Sequence, residues 1–211
     1  MIQYEEALAI VESRALPLRM ETVALSAAVG RVLAQDVVSD HDMPPFDKSA
    51  MDGFACRRAD LACVLRVVET IPAGGVPQHE IGEGECARIM TGAMIPKGAD
   101  CVFMIEQSEA LPENVVRFTG SKTADNIAYQ GEDIRCGQVV LNAGLRIEPR
   151  HIAVLAGAGC VEPRVARRLT VGVLATGSEL VAPHEAVSGP QIRETNGAQL
   201  MAQLEQAGAV P

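Results

Sequence analysis

Met43–Phe54 reads MPPFDKSAMDGF, and the chain divides around it. Pro44 and Pro45 fix φ and bias the residue before each towards extended backbone. Asp47, Lys48 and Ser49 come next, then Asp52 against Gly53, with Phe46 and Phe54 on either side of the polar set. So many polar groups between stiff and apolar neighbours have two readings. One is a rigid loop that presents Asp52, with Lys48 and Ser49, to an anionic or metal-bearing ligand. The other is a well-made turn whose charges are solvated. Spacing alone leaves both open.

Upstream, Tyr4, Leu8 and Val11 recur at i, i+4, i+7, which predicts a helix over 3–14 with Glu5 and Glu6 at its N-terminus. Pro17 ends it, Thr22–Gly30 reads as a turn of helix closed by Gly30, and Arg31–Val38 alternates like a strand. Downstream, Val64–Glu69, Glu85–Met90, Cys101–Glu106 and Val115–Phe118 are short β-like runs separated by Gly, Pro and Asn signals. That spacing predicts a small β-barrel or sandwich-like domain. Thr91–Gly92 closes one of these strands; such a threonine satisfies its own turn or binds a phosphate oxygen.

GEDI (131–134) pairs Glu132 with Asp133, a set that can hold Mg²⁺ or polarise water, or simply cap the next segment. Pro149–Ala158 reads as a helix with Ile152, Leu155 and Ala156 on one face. LTVGVLA (169–175) has the near-continuous apolar character of a strand buried in a parallel sheet. Thr176, Gly177, Ser178 and Glu179 stand at its carboxyl end, where ligands bind in open α/β sheets. Neither G-x-G-x-x-G nor a P-loop is present. After a polar loop, Arg193-Glu194-Thr195-Asn196 leads to a helix over 197–207, with Thr195 or Asn196 as its cap and Gly208 as its stop; Ala209–Val210 begins another strand.

The 211 residues, 48% apolar, suffice for a packed core. Aromatics are 3% with no Trp, which argues against a base-stacking platform, and a net charge of −9 disfavours non-specific binding to nucleic acid or anionic membrane. The six cysteines form no C-x-x-C and read as free thiols in a reducing compartment. His41, His79, His151 and His184 read as ordinary surface or core residues. No run approaches the roughly 18 apolar residues of a membrane helix.

PPFDKSAMDGFA (44–55), RIMTGAMIPKGAD (88–100), GEDI (131–134), ATGSEL (175–180) and RETN (193–196) occur together, in this order. By these motifs the chain resembles the molybdopterin molybdenumtransferases, the MoeA/gephyrin-type enzymes of molybdenum cofactor synthesis. The resemblance implies an α+β, multi-domain fold. An elongated scaffold and dimerisation domain (1–43 plus 133–168) would carry an inserted β domain (44–132). Residues 169–211 would form an incomplete α/β, molybdopterin-binding-like domain, since one βα unit leaves edges and faces unpaired.

The implied reaction inserts molybdate into adenylylated molybdopterin, with Mg²⁺, and releases AMP. The resemblance places Asp52, Thr91, Asp133 and Glu179 as catalytic positions, and Lys48, Ser49, Thr176, Gly177 and Ser178 as contacts to the substrate. It implies a cytoplasmic homodimer working beside a molybdopterin adenylyltransferase and molybdoenzyme maturation proteins, with no nucleic-acid or membrane partner. Ala128-Tyr129-Gln130 stands where many members have arginines, so positive charge is missing beside GEDI. The alternative is a catalytically incomplete fragment or a non-enzymatic dimerisation and pterin-binding scaffold.

Overall fold

The structure, a computed structural model, describes residues 2–14, 17 and 19–211. It is mixed α and β, with few helices and a curled sheet. The strands in chain order are β1 (Met20–Thr22), β2 (Val37–Val38), β3 (Lys48–Ser49), β4 (Gly53–Cys56), β5 (Val64–Ile71), β6 (Glu85–Ile89), β7 (Cys101–Met104), β8 (Ser108–Leu111), β9 (Val115–Phe118), β10 (Ile127–Ala128), β11 (Val139–Leu141), β12 (Arg164–Ala166), β13 (Leu180–Val181) and β14 (Ile192–Arg193). The α-helices are α1 (Tyr4–Glu12), α2 (Pro149–Gly157) and α3 (Asn196–Gln206). The chain separates into two compact units, Val38–Val140 and Met1–Val37 with Leu141–Pro211.

The Val38–Val140 unit is built on a six-stranded sheet ordered β7-β4-β6-β5-β9-β8. Of its pairs only β5·β6 is parallel. Alternate residues of each strand face opposite sides, and both sides are apolar. Phe54, Cys56, Leu65, Cys86, Cys101, Phe103 and Val116 make one core; Ala55, Ile71, Ile81, Ala87, Ile89, Ala93 and Val102 make the other. Phe103 stacks on Phe54 at 5.3 Å and 24° and tilts against Phe118 at 5.3 Å and 58°. Between β4 and β7 the backbones touch: a Cβ on Gly53 would stand 2.0 Å from the Phe103 carbonyl oxygen. Glycine is therefore the residue this strand needs immediately after Asp52.

In the other unit β1 pairs antiparallel with β12. The buried Arg31 guanidinium beneath them bonds to Glu21 and to the Ala166 carbonyl. The expected turn of helix is a short 3-10 segment, Leu25–Ala27, followed by Gly30 at φ 82°. Helix α1 has no buried residue, so Tyr4, Leu8 and Val11 lie open. Helix α2 starts on Pro149, buries Leu155 and leaves Ala156 exposed.

Two expectations need correction, and a third holds in position only. Arg31–Val38 is not one strand; bends at Ala34 and Gln35 separate bridges at Val32 and Leu33 from β2. Leu169–Ala175 is not a buried strand; only Thr170 bridges, to Val210, and Leu174 is 86% exposed. A parallel strand needs neighbours along its edges, and among the described residues only Val210 lies alongside. Thr195 occupies the N-cap of α3 without a side-chain bond, and Glu194 Oε1 accepts from Gly197 N at 2.5 Å instead.

Candidate functional site

Strand register places the first site. β4 pairs with β6 so that Gly53 faces Ile89, which brings Asp52 and Thr91 to the same end of the two strands. Beyond β6 the chain turns back at once, with Ala93 N donating to Met90 O at 3.0 Å. Gly92 sits at φ 80°, the backbone that the third residue of such a turn requires and that glycine adopts without strain. β3 straps this turn: Gly92 N donates to Ser49 O at 2.8 Å, and Ser49 N to Ala93 O at 2.9 Å. The Ser49 side chain is buried, and its hydroxyl donates to Met51 O at 2.5 Å. Ser49 thus builds the loop from inside.

Asp52 is fixed at backbone and side chain. Ile105 N donates to its carbonyl at 3.0 Å. Its Oδ1 accepts from Thr91 N at 2.6 Å and from Thr91 Oγ1 at 2.7 Å. Those two donors, the backbone N–H first, hold the Asp52 carboxyl below the usual aspartate range. The pair opens on a shallow pocket of about 270 Å³ lined by Met51, Asp52, Thr91, Met104 and Glu106. Thr91 donates to the Asp52 carboxylate from the turn and lines the pocket.

The other predicted residues of this unit stand elsewhere. Lys48 is half-buried on β3, opposite Ala128 of β10. Asp47 Oδ1 accepts from Gln130 N at 2.8 Å. Asp42 accepts from Cys136 N and from Gln130 Nε2, and the Cys136 N–H above all keeps it below the usual range. In GEDI, Glu132 closes its own turn by accepting from Tyr129 N at 2.9 Å. Asp133 N donates to Met43 O at 3.0 Å, while its exposed carboxylate takes no hydrogen bond among the described residues and none from Asp52 or Thr91. Tyr129 donates to Asp125 at 3.0 Å.

Thr176–Glu179 belongs to the other unit. Leu180 N donates to Gly177 O at 3.3 Å, and the Glu179 carboxylate folds over Gly177. Thr176 lines a cavity of about 360 Å³ together with Arg193, Glu194, Thr195 and Asn196. The structure thus joins ATGSEL to RETN, as it joins Asp52 to Thr91. Sequence reading missed Glu106 because Cys101–Glu106 looks like one strand; β7 stops at Met104, and Ile105–Gln107 is a 3-10 turn that swings Glu106 to the pocket. Among the described residues no three His, Cys, Asp or Glu side chains converge to hold a metal ion. No helix among them is long and apolar enough to cross a membrane.

Comparison with known proteins gives a consistent set. The family described as the MoeA N-terminal region (domain I and II) matches residues 2–159. A molybdopterin molybdenumtransferase of Bacillus subtilis is 42% identical over 202 residues, covering 90% of this chain and 47% of the relative. One of Staphylococcus epidermidis is 37% identical over 214 residues, covering 98% and 51%. The crystal structure of a molybdopterin biosynthesis moeA protein from Pyrococcus horikoshii matches with a TM-score of 0.85 at 35% identity, covering all of this chain and 58% of that one. The chain spans about half the length of the curated relatives it matches.

Proposed function

The chain belongs to the family of the MoeA N-terminal region, and from that premise we propose that it serves molybdenum cofactor biosynthesis as a molybdopterin molybdenumtransferase, with Asp52 and Thr91 at its reacting centre. In this reading molybdate is inserted into adenylylated molybdopterin and AMP is released. The observation that carries it is the Asp52–Thr91 pair, two residues 39 positions apart joined by two hydrogen bonds at the mouth of a pocket. The hydrogen bonds keep Asp52 ionised and fix its orientation. Asp52 Oδ2 takes no hydrogen bond among the described residues, and Asp52 lines the pocket, so this oxygen is free to accept from a substrate hydroxyl or a water. The thioethers of Met51 and Met104 border it with polarisable, adaptable surface.

The described residues do not converge into a Mg²⁺ site. Mg²⁺ commonly enters such sites on substrate phosphates with its own waters. Nothing in the roles of Asp52 and Thr91 depends on it. Thr176, Gly177, Ser178 and Glu179, with the cavity beside RETN, are read as a second substrate contact, and Asp133 as a further acidic position. The open face of α1, with Tyr4 74% and Val11 69% exposed, supports a homodimer in which a second copy covers it. A cytoplasmic setting follows from this function.

The test is AMP release from adenylylated molybdopterin in the presence of molybdate and Mg²⁺. Wild-type chain is expected to release AMP, Asp52→Asn to lose about 100-fold or more, and Thr91→Val to lose activity less steeply because the backbone donor remains. A fully active Asp52→Asn protein refutes the assignment. A wild-type chain that binds the substrate without releasing AMP establishes the scaffold reading in its place.

A further inference from the structure

We propose that Glu106 is a second catalytic carboxylate of the Asp52 pocket, the base that takes a proton from the water attacking the substrate's phosphoanhydride. This rests on the reading above, in which AMP is released from adenylylated molybdopterin, and takes that release as hydrolysis of the phosphoanhydride. Three observations carry it.

The first is its freedom. Asp42, Asp47, Asp60, Asp100 and Asp125 of the same unit each accept hydrogen bonds from named donors. Glu106 accepts none and forms no ion pair among the described residues. Glu80, Glu83, Glu113 and Asp133 are equally free, but only Glu106 of these lines the pocket that holds Asp52 and Thr91.

The second is its fixed place. Its backbone is pinned on both sides, by Ile105 N to Asp52 O at 3.0 Å and by Thr119 N to Gln107 O at 2.8 Å. Ser108 Oγ closes the turn onto Ile105 O at 2.6 Å. A free carboxylate on a rigid turn is poised for proton transfer without the cost of leaving a partner.

The third is the contrast with Asp52. Two Thr91 donors on one oxygen favour the ionised form of Asp52 and make it a poor proton acceptor. Two carboxylates of one pocket whose surroundings differ in this way are suited to different tasks. Asp52 orients and Glu106 accepts. In the step, the water oxygen forms a new bond to one phosphorus of the anhydride. The bond from that phosphorus to the bridging oxygen breaks, and its electron pair stays on the departing phosphate. The water proton passes to a Glu106 carboxylate oxygen and from there to solvent. The products are AMP and the pterin phosphate.

The experiment compares wild type, Glu106→Gln, Glu106→Asp and Asp52→Asn in steady-state AMP release, with melting temperature as a folding control. Glu106→Gln is expected to lower kcat by about 10²–10⁴-fold, with KM within about twofold of wild type. Glu106→Asp is expected to recover part of that loss. Because Glu106 is exposed and unpartnered, both variants should melt with the wild type. A Glu106→Gln enzyme with wild-type kcat beside an inactive Asp52→Asn overturns the role of Glu106 and leaves the site intact. A raised KM with unchanged kcat overturns it too, since that is a binding role. A wild-type chain without AMP release, or an active Asp52→Asn, overturns the reading beneath it and this inference together.

Discussion

Gly53→Ala is the substitution on which the geometry speaks most sharply. The new methyl carbon would lie 2.0 Å from the Phe103 carbonyl oxygen, 2.9 Å from its carbon and 3.1 Å from Met104 Cα, where ordinary contact begins at 3.4 Å. All three atoms are backbone, so no side chain can swing aside. β7 must retreat from β4 by roughly 1.4 Å, the shortfall at the oxygen, against the hydrogen bonds of that ladder. Overpacking costs about 1–3 kcal/mol, and each weakened ladder bond adds about 1, so the expected loss is about 3–4 kcal/mol. For a unit of about a hundred residues that lowers the melting temperature by roughly 10–25 °C. Urea unfolding followed by circular dichroism reads the loss directly. The same retreat moves Ile105, which holds the Asp52 carbonyl, so AMP release should fall by about 100-fold at temperatures where the variant is still folded. Gly84→Ala is the control: Gly84 has φ 70° and open space around it, so it costs only the strain of its backbone, about 1 kcal/mol. A Gly53→Ala protein within 1 kcal/mol of wild type would refute the claimed contact between β4 and β7.

Phe103→Ala should cost about 3–5 kcal/mol, because the ring is fully buried between Phe54 and Phe118; a loss under 1 kcal/mol by the same unfolding measurement would contradict that packing. The lowered values of Asp52 and Asp42 make their hydrogen bonds stabilising above the ordinary aspartate pKa of about 3.9, and that contribution is lost as pH falls through the folded-state values. A carboxyl-carbon NMR titration should therefore find both midpoints below the ordinary value, and a midpoint at or above it removes the Thr91–Asp52 geometry. Burial pushes the Cys86 thiol up to about 12 and the Cys101 contact raises Cys56, while Cys63 and Cys136 are exposed. A thiol reagent should label Cys63 and Cys136 in the native protein and reach Cys56 and Cys86 only after unfolding; native labelling of Cys86 would contradict the core assignment.

The strands at 64, 85, 101 and 115 were legible because apolar runs there are bounded by turn residues. β4 was not. It is four residues long, begins with glycine inside a polar motif, and is buried on both faces, so it shows neither alternation nor a strand-like start. β8, SEAL, hid for the opposite reason, being a short edge strand with no buried residue. LTVGVLA has the composition of a buried strand, but composition does not supply the neighbours a ladder needs. In the site, both Asp52 and Thr91 could be named from their motifs. Their contact depends on the β4·β6 register, which no local pattern encodes. Glu106 was masked by a strand reading that ran two residues too far, and the side-chain bond at the start of α3 comes from Glu194, one residue before the Thr195 N-cap.

Asp52, held by Thr91, is proposed to act in metal insertion. The most direct measurement incubates the purified chain with adenylylated molybdopterin, Mg²⁺ and molybdate, then follows activation of an apo-molybdoenzyme by the product. Activation by the wild-type chain is expected, and it should disappear in Asp52→Asn while the variant's melting temperature stays within a few degrees. Equal activation by both proteins would contradict it.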